Sequence, residues 1–235
     1  MGSLLGDGSL RLHEPYRNAR FSFRHTITQR EYFSWKVNAL REISSSRCVW
    51  EQPGDGYPNA KEKLRYQSLA LESLTELYRL THDGKQFRIR RKWLNMLTPL
   101  SLAIWWFDDG SLIANTRKGV LCTDGFPREE IELLSRYLAV VWKVRAHVGA
   151  VGTTGRRANY YRLWFRSTEE LKKFMHIILP FVPVPAVLPK VMLLYNDPQL
   201  QQRWISEVHD ATRFPINVIN TYVAEKRSRW KQFRE

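Results

Sequence analysis

Polar and apolar residues alternate strictly along residues 20–27. One set of alternate positions is polar and the other is mainly apolar: Arg20, Ser22, Arg24 and Thr26 against Phe21, Phe23, His25 and Ile27. Because successive side chains of a strand point to opposite faces, this pattern predicts a strand with one buried and one solvent-facing side. Residues 29–43 instead carry apolar residues at helical spacing, which predicts a helix.

The same order of elements is predicted in both halves of the chain. In the first half a short helix precedes residue 7, and it is followed by strands at 9–13 and 20–27, a helix at 29–43, strands at 48–52 and 63–71, and a helix at 73–81. In the second half the helices lie at 99–109, 127–142 and 167–179, and the strands at 111–115, 119–123, 144–151 and 160–166. Residues 84–96 connect the halves, and a further helical segment follows residue 199. Both halves have the order α-β-β-α-β-β-α, which predicts an α+β fold of two related domains.

Helix ends in the second half carry typical capping residues. Thr98 suits the N-cap, Pro99 suits the first helical position, and Gly110 follows the end of the same helix. Ser167, with Glu170 three residues later, predicts a capping box at the start of another helix.

An acidic turn occurs once in each half. LLGDGSL at residues 4–10 returns as WWFDDGSL at residues 105–112, so that Asp7 and Asp109 occupy equivalent positions. A single Asp-Gly is a common turn signal. Two copies about one small domain apart predict two related domains that each bring a carboxylate to a shared site.

Asp108 is the competing carboxylate in the second copy. One residue of a helix turns the side chain by about 100°, so neighbouring carboxylates cannot point the same way. Asp109 is the better candidate, since it precedes Gly110 as Asp7 precedes Gly8.

The net charge of the chain indicates what kind of molecule it binds. The 37 Lys and Arg residues against 23 Asp and Glu residues give a net charge of +14 and a pI near 10. A balance this basic indicates a polyanionic partner. Paired carboxylates on such a chain predict metal-dependent cutting of a nucleic acid.

The remaining composition excludes other classes. Cys48 and Cys122 lie far apart without metal-site spacing, which argues against zinc and predicts reduced thiols inside a cell. No segment has the pattern of a signal peptide or of a membrane span. We therefore expect an intracellular protein without a membrane partner, in an organelle or a microbial cytoplasm.

Two segments resemble the signatures of a known family. LTPLSLAIWWFDDGS at residues 97–111 and GSLLGDGSL at residues 2–10 resemble the two motifs of single-chain LAGLIDADG homing endonucleases. The likeness is to the intron-encoded subgroup in which Leu-Thr-Pro precedes the second motif, and it covers about residues 1–195. It implies an N-terminal half at 1–92, a C-terminal half at 93–195 and a basic helical extension at 196–235. The halves would form a curved antiparallel saddle over DNA, with the motif helices at the domain interface.

The resemblance also implies a chemistry. Asp7 and Asp109 would bind Mg²⁺, with the backbone carbonyls of Gly6 and Asp108 as further ligands. Mn²⁺ could serve in place of Mg²⁺ as the reactive ion, whereas Ca²⁺ would bind without supporting cleavage. Lysines near each cleavage centre would be Lys85 and Lys190. Both strands of a long double-stranded DNA target would be cut, and one chain with two motifs would act as a monomer.

Candidate DNA-binding residues are polar or basic positions on the predicted strands and hairpins. They are Arg20, Ser22, Arg24, Thr26, Arg65 and Gln67 in the first half, and Arg117, Lys118, Arg156, Arg157, Arg162 and Arg166 in the second. No histidine is assigned a role.

Two alternatives remain open, and the first motif departs from the family pattern. The chain could be a non-cleaving nucleic-acid binder on the same fold, such as an intron RNA-splicing maturase or a DNA-binding regulator. It could also be an unrelated basic domain with coincidental Asp-Gly turns. Only six residues precede Asp7, which is less than two helical turns. Either the sequence is truncated at this end or the first helix is short, and in both cases we expect a less rigidly placed Asp7.

Overall fold

The computed structural model describes residues 1–54, 61–113, 117–152 and 160–232. The chain forms two compact units. The first consists of Met1 with Ser3–Arg88, and the second of Gly2 with Ile89–Glu235. No helix among the described residues is long and apolar enough to cross a membrane.

The first unit is built around a four-stranded antiparallel sheet. Its elements are α1 (Gly2–Leu5), β1 (Ser9–Arg11), β2 (Arg20–Thr26), α2 (Arg30–Ala39), β3 (Val49–Gln52), β4 (Lys63–Gln67), α3 (Glu72–Thr81), β5 (His82–Asp83) and β6 (Gln86–Phe87). The sheet order is β1-β2-β4-β3, and β5 pairs with β6 in a separate hairpin. The helix α1 is a single turn.

The alternation predicted for β2 is confirmed and produces the core of this unit. Phe21 and Phe23 are buried, whereas Arg24 between the strand's apolar positions is exposed. The ring of Phe23 lies 5.2 Å from that of Phe33 on α2 and 5.0 Å from that of Tyr66 on β4. One face of the sheet is therefore closed by aromatic packing, and the other is left open to solvent.

The second unit repeats this architecture and extends it. Its elements are α4 (Arg91–Leu94), α5 (Pro99–Asp109), β7 (Gly110–Leu112), β8 (Gly119–Leu121), α6 (Arg128–Val141), β9 (His147–Val151), β10 (Tyr160–Phe165), α7 (Thr168–Ile178), α8 (Pro198–Thr212) and α9 (Ile216–Gln232). The sheet order β7-β8-β10-β9 matches that of the first sheet position by position. The predicted order of elements is thus confirmed in both halves.

The helix α5 is apolar on nearly every side and is buried accordingly. Leu102, Trp105, Trp106 and Phe107 are at most 1% exposed. Its start has the predicted N-cap: Thr98 Oγ1 accepts a hydrogen bond from the backbone N–H of Ser101 at 3.2 Å.

Glycines let the second sheet approach this helix closely. A Cβ added at Gly110 would lie 2.4 Å from ring atoms of Trp106, and one at Gly119 would lie 2.8 Å from the same ring. Any side chain at either position would collide with the indole. These glycines therefore fix where β7 and β8 begin relative to the end of α5.

Some predicted details differ. The capping box at Ser167 is wrong: the carboxylate of Glu170 instead accepts a hydrogen bond from the backbone N–H of Arg145 at 2.7 Å. The predicted connector holds β6 and α4. Residues 179–190, which contain four prolines, form two 3₁₀ segments, Leu179–Phe181 and Pro185–Lys190, because proline cannot continue an α-helix.

Candidate active site and nucleic-acid interface

The first motif ends in a tight turn that presents Asp7. The backbone N–H of Gly8 donates to the carbonyl of Ser3 at 2.6 Å and closes this turn directly before β1. The Asp7 side chain is 38% exposed, and its Oδ2 lies 3.5 Å from Nδ1 of His25. One carboxylate oxygen is therefore held against the sheet while the group still reaches solvent.

His25 lies among aromatic rings beneath Asp7. Its side chain is 1% exposed and makes edge-on contacts with the rings of Phe23 at 5.5 Å and Tyr32 at 5.3 Å. Its Nε2 is 3.5 Å from Nζ of Lys36, a buried lysine whose ammonium lies 4.4 Å from the centre of the Phe23 ring. Asp7, His25 and Lys36 thus form a continuous polar line into the core of the first unit.

The sequence analysis missed this histidine. The alternation placed His25 on the buried face of β2 but gave it no role. One signal could have indicated a role: His25 is the only polar side chain on the apolar face of the predicted strand. A buried polar group needs a hydrogen-bond partner, so this position predicts a polar contact.

The second motif ends at Asp109, the last residue of α5. Asp109 is half-buried, and its backbone carbonyl accepts a hydrogen bond from the N–H of Cys122 at 3.1 Å. The ammonium of Lys190 donates to the carbonyls of Phe107 at 2.5 Å and Asp108 at 3.1 Å. A cation at this end satisfies terminal carbonyls and complements the negative end of the helix dipole. The structure therefore brings Lys190 to the end of the second motif.

The pKa of the Cys122 thiol is affected by the charged groups around Asp109. Burial raises the pKa of this thiol, Arg162 and Lys190 lower it, and the carboxylates of Asp124 and Asp109 raise it further. These charged groups consequently share one neighbourhood of the second unit. The carbonyl of Asp108, a predicted metal ligand, is engaged by Lys190 in this neighbourhood.

Lys85 has a different setting from Lys190. It is exposed in the turn between β5 and β6, directly after Gly84. Gly84 has a positive φ of 57° and accepts a hydrogen bond from the hydroxyl of Tyr78 at 2.7 Å. Within the described ranges, no hydrogen bond or ion pair joins Lys85 to Asp7. The two predicted lysines are therefore not placed alike.

The open face of the first sheet gathers the predicted DNA-binding residues of that half. Residues opposite each other in the ladder share this face, and the pairs are Ser22 with Gln67, Arg24 with Arg65, and Thr26 with Lys63. Arg20 also lies here and donates to Oε1 of Gln67 at 3.3 Å.

A cavity of about 300 Å³ opens on this face. Its lining joins Asp7 to the basic positions of β1, β2 and β4, namely Arg11, Arg20, Arg24 and Arg65. The guanidinium of Arg65 lies 5.4 Å from the Trp50 ring, which restrains it over the sheet. The Asp7 carboxylate is thus continuous with a cationic surface within one unit.

The predicted residues of the second half are arranged differently. Arg162 forms a two-point ion pair with Asp124 at 2.6 and 2.5 Å, which raises the pKa of its guanidinium. Arg117 donates to the carbonyl of Leu194 at 3.1 Å. Lys118 and Arg166 are exposed, and Arg156 and Arg157 lie outside the described residues. Arg162 and Arg117 are therefore already engaged within their own unit.

The family model for the LAGLIDADG DNA endonuclease family matches residues 1–174. The chain belongs to this family. The family resemblance inferred from the two motifs is thereby confirmed, and the match ends before Lys190 and before the last two helices.

Two curated relatives are both named Protein RecA. The one from Mycolicibacterium chitae is 28% identical over 197 residues, which cover 77% of this chain and 43% of the relative. The one from Mycobacterium gastri is 28% identical over 243 residues, which cover 92% of this chain and 54% of the relative. The chain thus spans about half the length of the curated relatives it matches.

A solved structure is similar in fold. The homing endonuclease I-WcaI, bound to its DNA recognition sequence, matches with a TM-score of 0.70 at 20% identity, over 83% of this chain and 84% of that chain. The likeness confirms the predicted α+β LAGLIDADG fold.

Proposed function

We propose that this protein is a site-specific DNA endonuclease that hydrolyses both strands of a long duplex target with a divalent metal ion. One observation carries the proposal. Each motif ends in an acidic residue close before the first strand of a four-stranded sheet: Asp7 is separated from β1 by Gly8, and Asp109 directly precedes β7. In a family of DNA endonucleases, this repeated position is the natural place for the reaction's carboxylates.

The donor chemistry fits a hard cation. Asp7 and Asp109 supply carboxylate oxygens, the ligands that Mg²⁺ and Mn²⁺ prefer, and the carbonyl of Gly6 is a further oxygen donor, whereas the carbonyl of Asp108 already accepts a hydrogen bond from Lys190. When bound, such an ion makes water more nucleophilic and stabilises the leaving oxygen of a phosphodiester. Ca²⁺ would occupy the same oxygens with looser geometry and support binding alone.

The remaining groups act on charge and position. The Lys190 ammonium places a positive charge at the end of α5, where it would offset negative charge on a phosphate near Asp109. His25 holds one oxygen of Asp7 and limits the rotation of that carboxylate.

DNA recognition is assigned to the open face of the first sheet. Arg24 and Arg65 stand opposite each other on neighbouring strands and can each make a two-point contact with a guanine edge. The exposed Lys118 and Arg166 of the second unit suit phosphate contacts, which position the duplex without reading it. Since both motifs lie in one chain, we propose that the protein acts as a monomer inside the cell.

A randomised duplex library tests this function. Incubation with the protein and Mg²⁺ should give cleavage of both strands at one recurrent sequence, and replacing Mg²⁺ by Ca²⁺ should leave that sequence bound and intact. Enrichment of a bound sequence that stays uncut in Mg²⁺ and Mn²⁺ would contradict the endonuclease. It would support a non-cleaving DNA-binding regulator, and selective binding of a structured intron RNA instead would support a maturase.

A further inference from the structure

The backbone carbonyls of the segment that carries Lys190 are hydrogen-bonded to side chains. Every backbone carbonyl from Pro189 to Tyr195, here called the Lys190 segment, accepts a hydrogen bond from a side chain elsewhere in the second unit. This segment has no strand and no continuous helix to satisfy its backbone, and Val191, Met192 and Leu193 at its centre are buried while its other residues are half-buried. The donating side chains therefore determine its path.

Most of these donors lie on the last two helices. The donor and acceptor pairs are Lys226 to Pro189 at 3.0 Å and to Met192 at 2.8 Å, Trp204 to Val191 at 3.2 Å, Gln201 to Leu193 at 3.2 Å and Arg227 to Tyr195 at 3.0 Å. Gln201 also accepts a hydrogen bond from the backbone N–H of Tyr195 at 2.9 Å. Helices α8 and α9 thus grip the segment along its length.

Two further donors come from the body of the unit. The indole N–H of Trp106, on the motif helix α5, donates to the carbonyl of Lys190 itself at 2.9 Å. Arg117 donates to the carbonyl of Leu194. The ammonium of Lys190 contacts the end of α5. Both the backbone and the side chain of Lys190 are therefore held in position relative to the second motif.

The chemistry of these donors distinguishes a positioning role from ordinary packing. Apolar side chains would cover the core equally well, whereas a buried amide or ammonium is costly unless it is hydrogen-bonded. Gln201 is 5% exposed, and burial lowers the pKa of Lys226 to about 8. Buried polar groups that donate to consecutive carbonyls specify one backbone path, because each hydrogen bond is directional. An apolar contact does not specify a path in this way.

We infer that helices α8 and α9 are a positioning device that fixes Lys190 at the end of the second motif, with Lys226, Gln201 and Trp204 as positioning residues. The catalytic consequence rests on the function proposed above, whereas the restraint on the Lys190 segment does not. The device lies outside residues 1–174, which the family model matches.

The test compares Lys226→Met and Gln201→Met with a matched control, Glu207→Gln. Both test variants keep an unbranched side chain of similar length and remove donors to the Lys190 segment. Glu207 lies on α8 but pairs with His176 at 3.0 Å and Lys172 at 3.7 Å on α7, so its loss weakens the same helix without touching the segment. Gln201→Met removes no charge and serves where Lys226→Met folds poorly.

Hydrogen exchange without DNA is the first measurement. The backbone amides of Val191, Met192 and Tyr195 are hydrogen-bonded in the structure, and Tyr195 donates directly to Gln201. We expect at least about tenfold faster exchange at these amides in the test variants, beyond any global change in Tm, and no selective change in Glu207→Gln. Equal exchange in all four proteins would overturn the inference whether or not the protein cuts DNA.

Cleavage kinetics are the second measurement. With Lys190 less fixed, kcat should fall by about tenfold to a hundredfold in the test variants while KM stays within about twofold, because misplacement of a reacting group by about 1 Å has effects of this size. Glu207→Gln should keep the parent kcat. If Lys190→Met cuts like the parent, the catalytic half of the inference is wrong. A parent that never cuts refutes the proposed endonuclease and leaves the exchange result to decide the restraint.

Discussion

His25 offers a perturbation whose size follows from its contacts. His25→Phe keeps a ring in the aromatic cluster with Phe23 and Tyr32, so little cavity is created. It removes the 3.5 Å contacts to Asp7 Oδ2 and Lys36 Nζ. Loss of a polar partner for the buried ammonium should lower the free energy of unfolding by about 1–3 kcal/mol.

The larger effect is expected on the metal. A group that orients a ligating carboxylate typically contributes about tenfold to a hundredfold in metal affinity. Titration calorimetry with Ca²⁺ in the presence of DNA, together with the Mg²⁺ dependence of cleavage, measures this shift. His176→Phe is the matched control, since His176 also contacts a carboxylate, Glu207 at 3.0 Å, and neither residue belongs to a motif.

The effects of His25→Phe and Asp7→Asn on metal affinity should not be additive. In an Asp7→Asn background, His25→Phe should cause almost no further loss of metal affinity, since the carboxylate that it orients is already gone. Parent-like metal affinity in His25→Phe, or fully additive losses in the double variant, would refute the role of His25 as the support of Asp7.

Three further predictions follow from charge. DNA affinity should fall by on the order of a thousandfold between about 50 and 200 mM salt if roughly six phosphates are neutralised, and salt-insensitive binding in a filter assay would contradict this. Arg24→Ala should relax base preference at one position of the target, whereas Lys118→Ala should weaken all sequences alike, as competition binding to single-base variants would show. The pKa of Lys226 is lowered in the fold from 10.5 to about 8, so the unfolded chain binds more protons between these values and stability rises with pH across this window. Lys226→Met should remove that rise, and a parent-like slope of unfolding free energy between about pH 8 and 10.5 would contradict it.

Local patterns determined how much of the fold was predictable. The alternation in β2 and the capping residues of α5 act within a few neighbouring residues, and both are confirmed. The capping box at Ser167 failed because Glu170 found a partner in Arg145, twenty-five residues away. Sequence patterns do not show which distant donor forms a hydrogen bond with a carboxylate in the folded chain.

The same limit applies to the candidate site. The acidic ends of the motifs were visible as a repeat, and Lys190 indeed lies at the end of α5. The engagement of Arg162 by Asp124 depends on a contact between separate segments, as does the contact of His25 with Asp7. Periodicity gives the face on which a residue lies, and tertiary packing decides which partner it meets there.

Cleavage of the recovered target by Asp7→Asn and Asp109→Asn tests the central proposal most directly. Asparagine keeps the shape of aspartate but loses the charge that holds a divalent cation. Each variant should leave the duplex bound at parent-like affinity, or slightly tighter because repulsion of the phosphates is reduced, and uncut in Mg²⁺. Glu132→Gln, which removes the same charge from an exposed ion pair on α6, should cut like the parent. Parent-like cutting of both strands by either aspartate variant would contradict the proposal that these carboxylates carry the reaction.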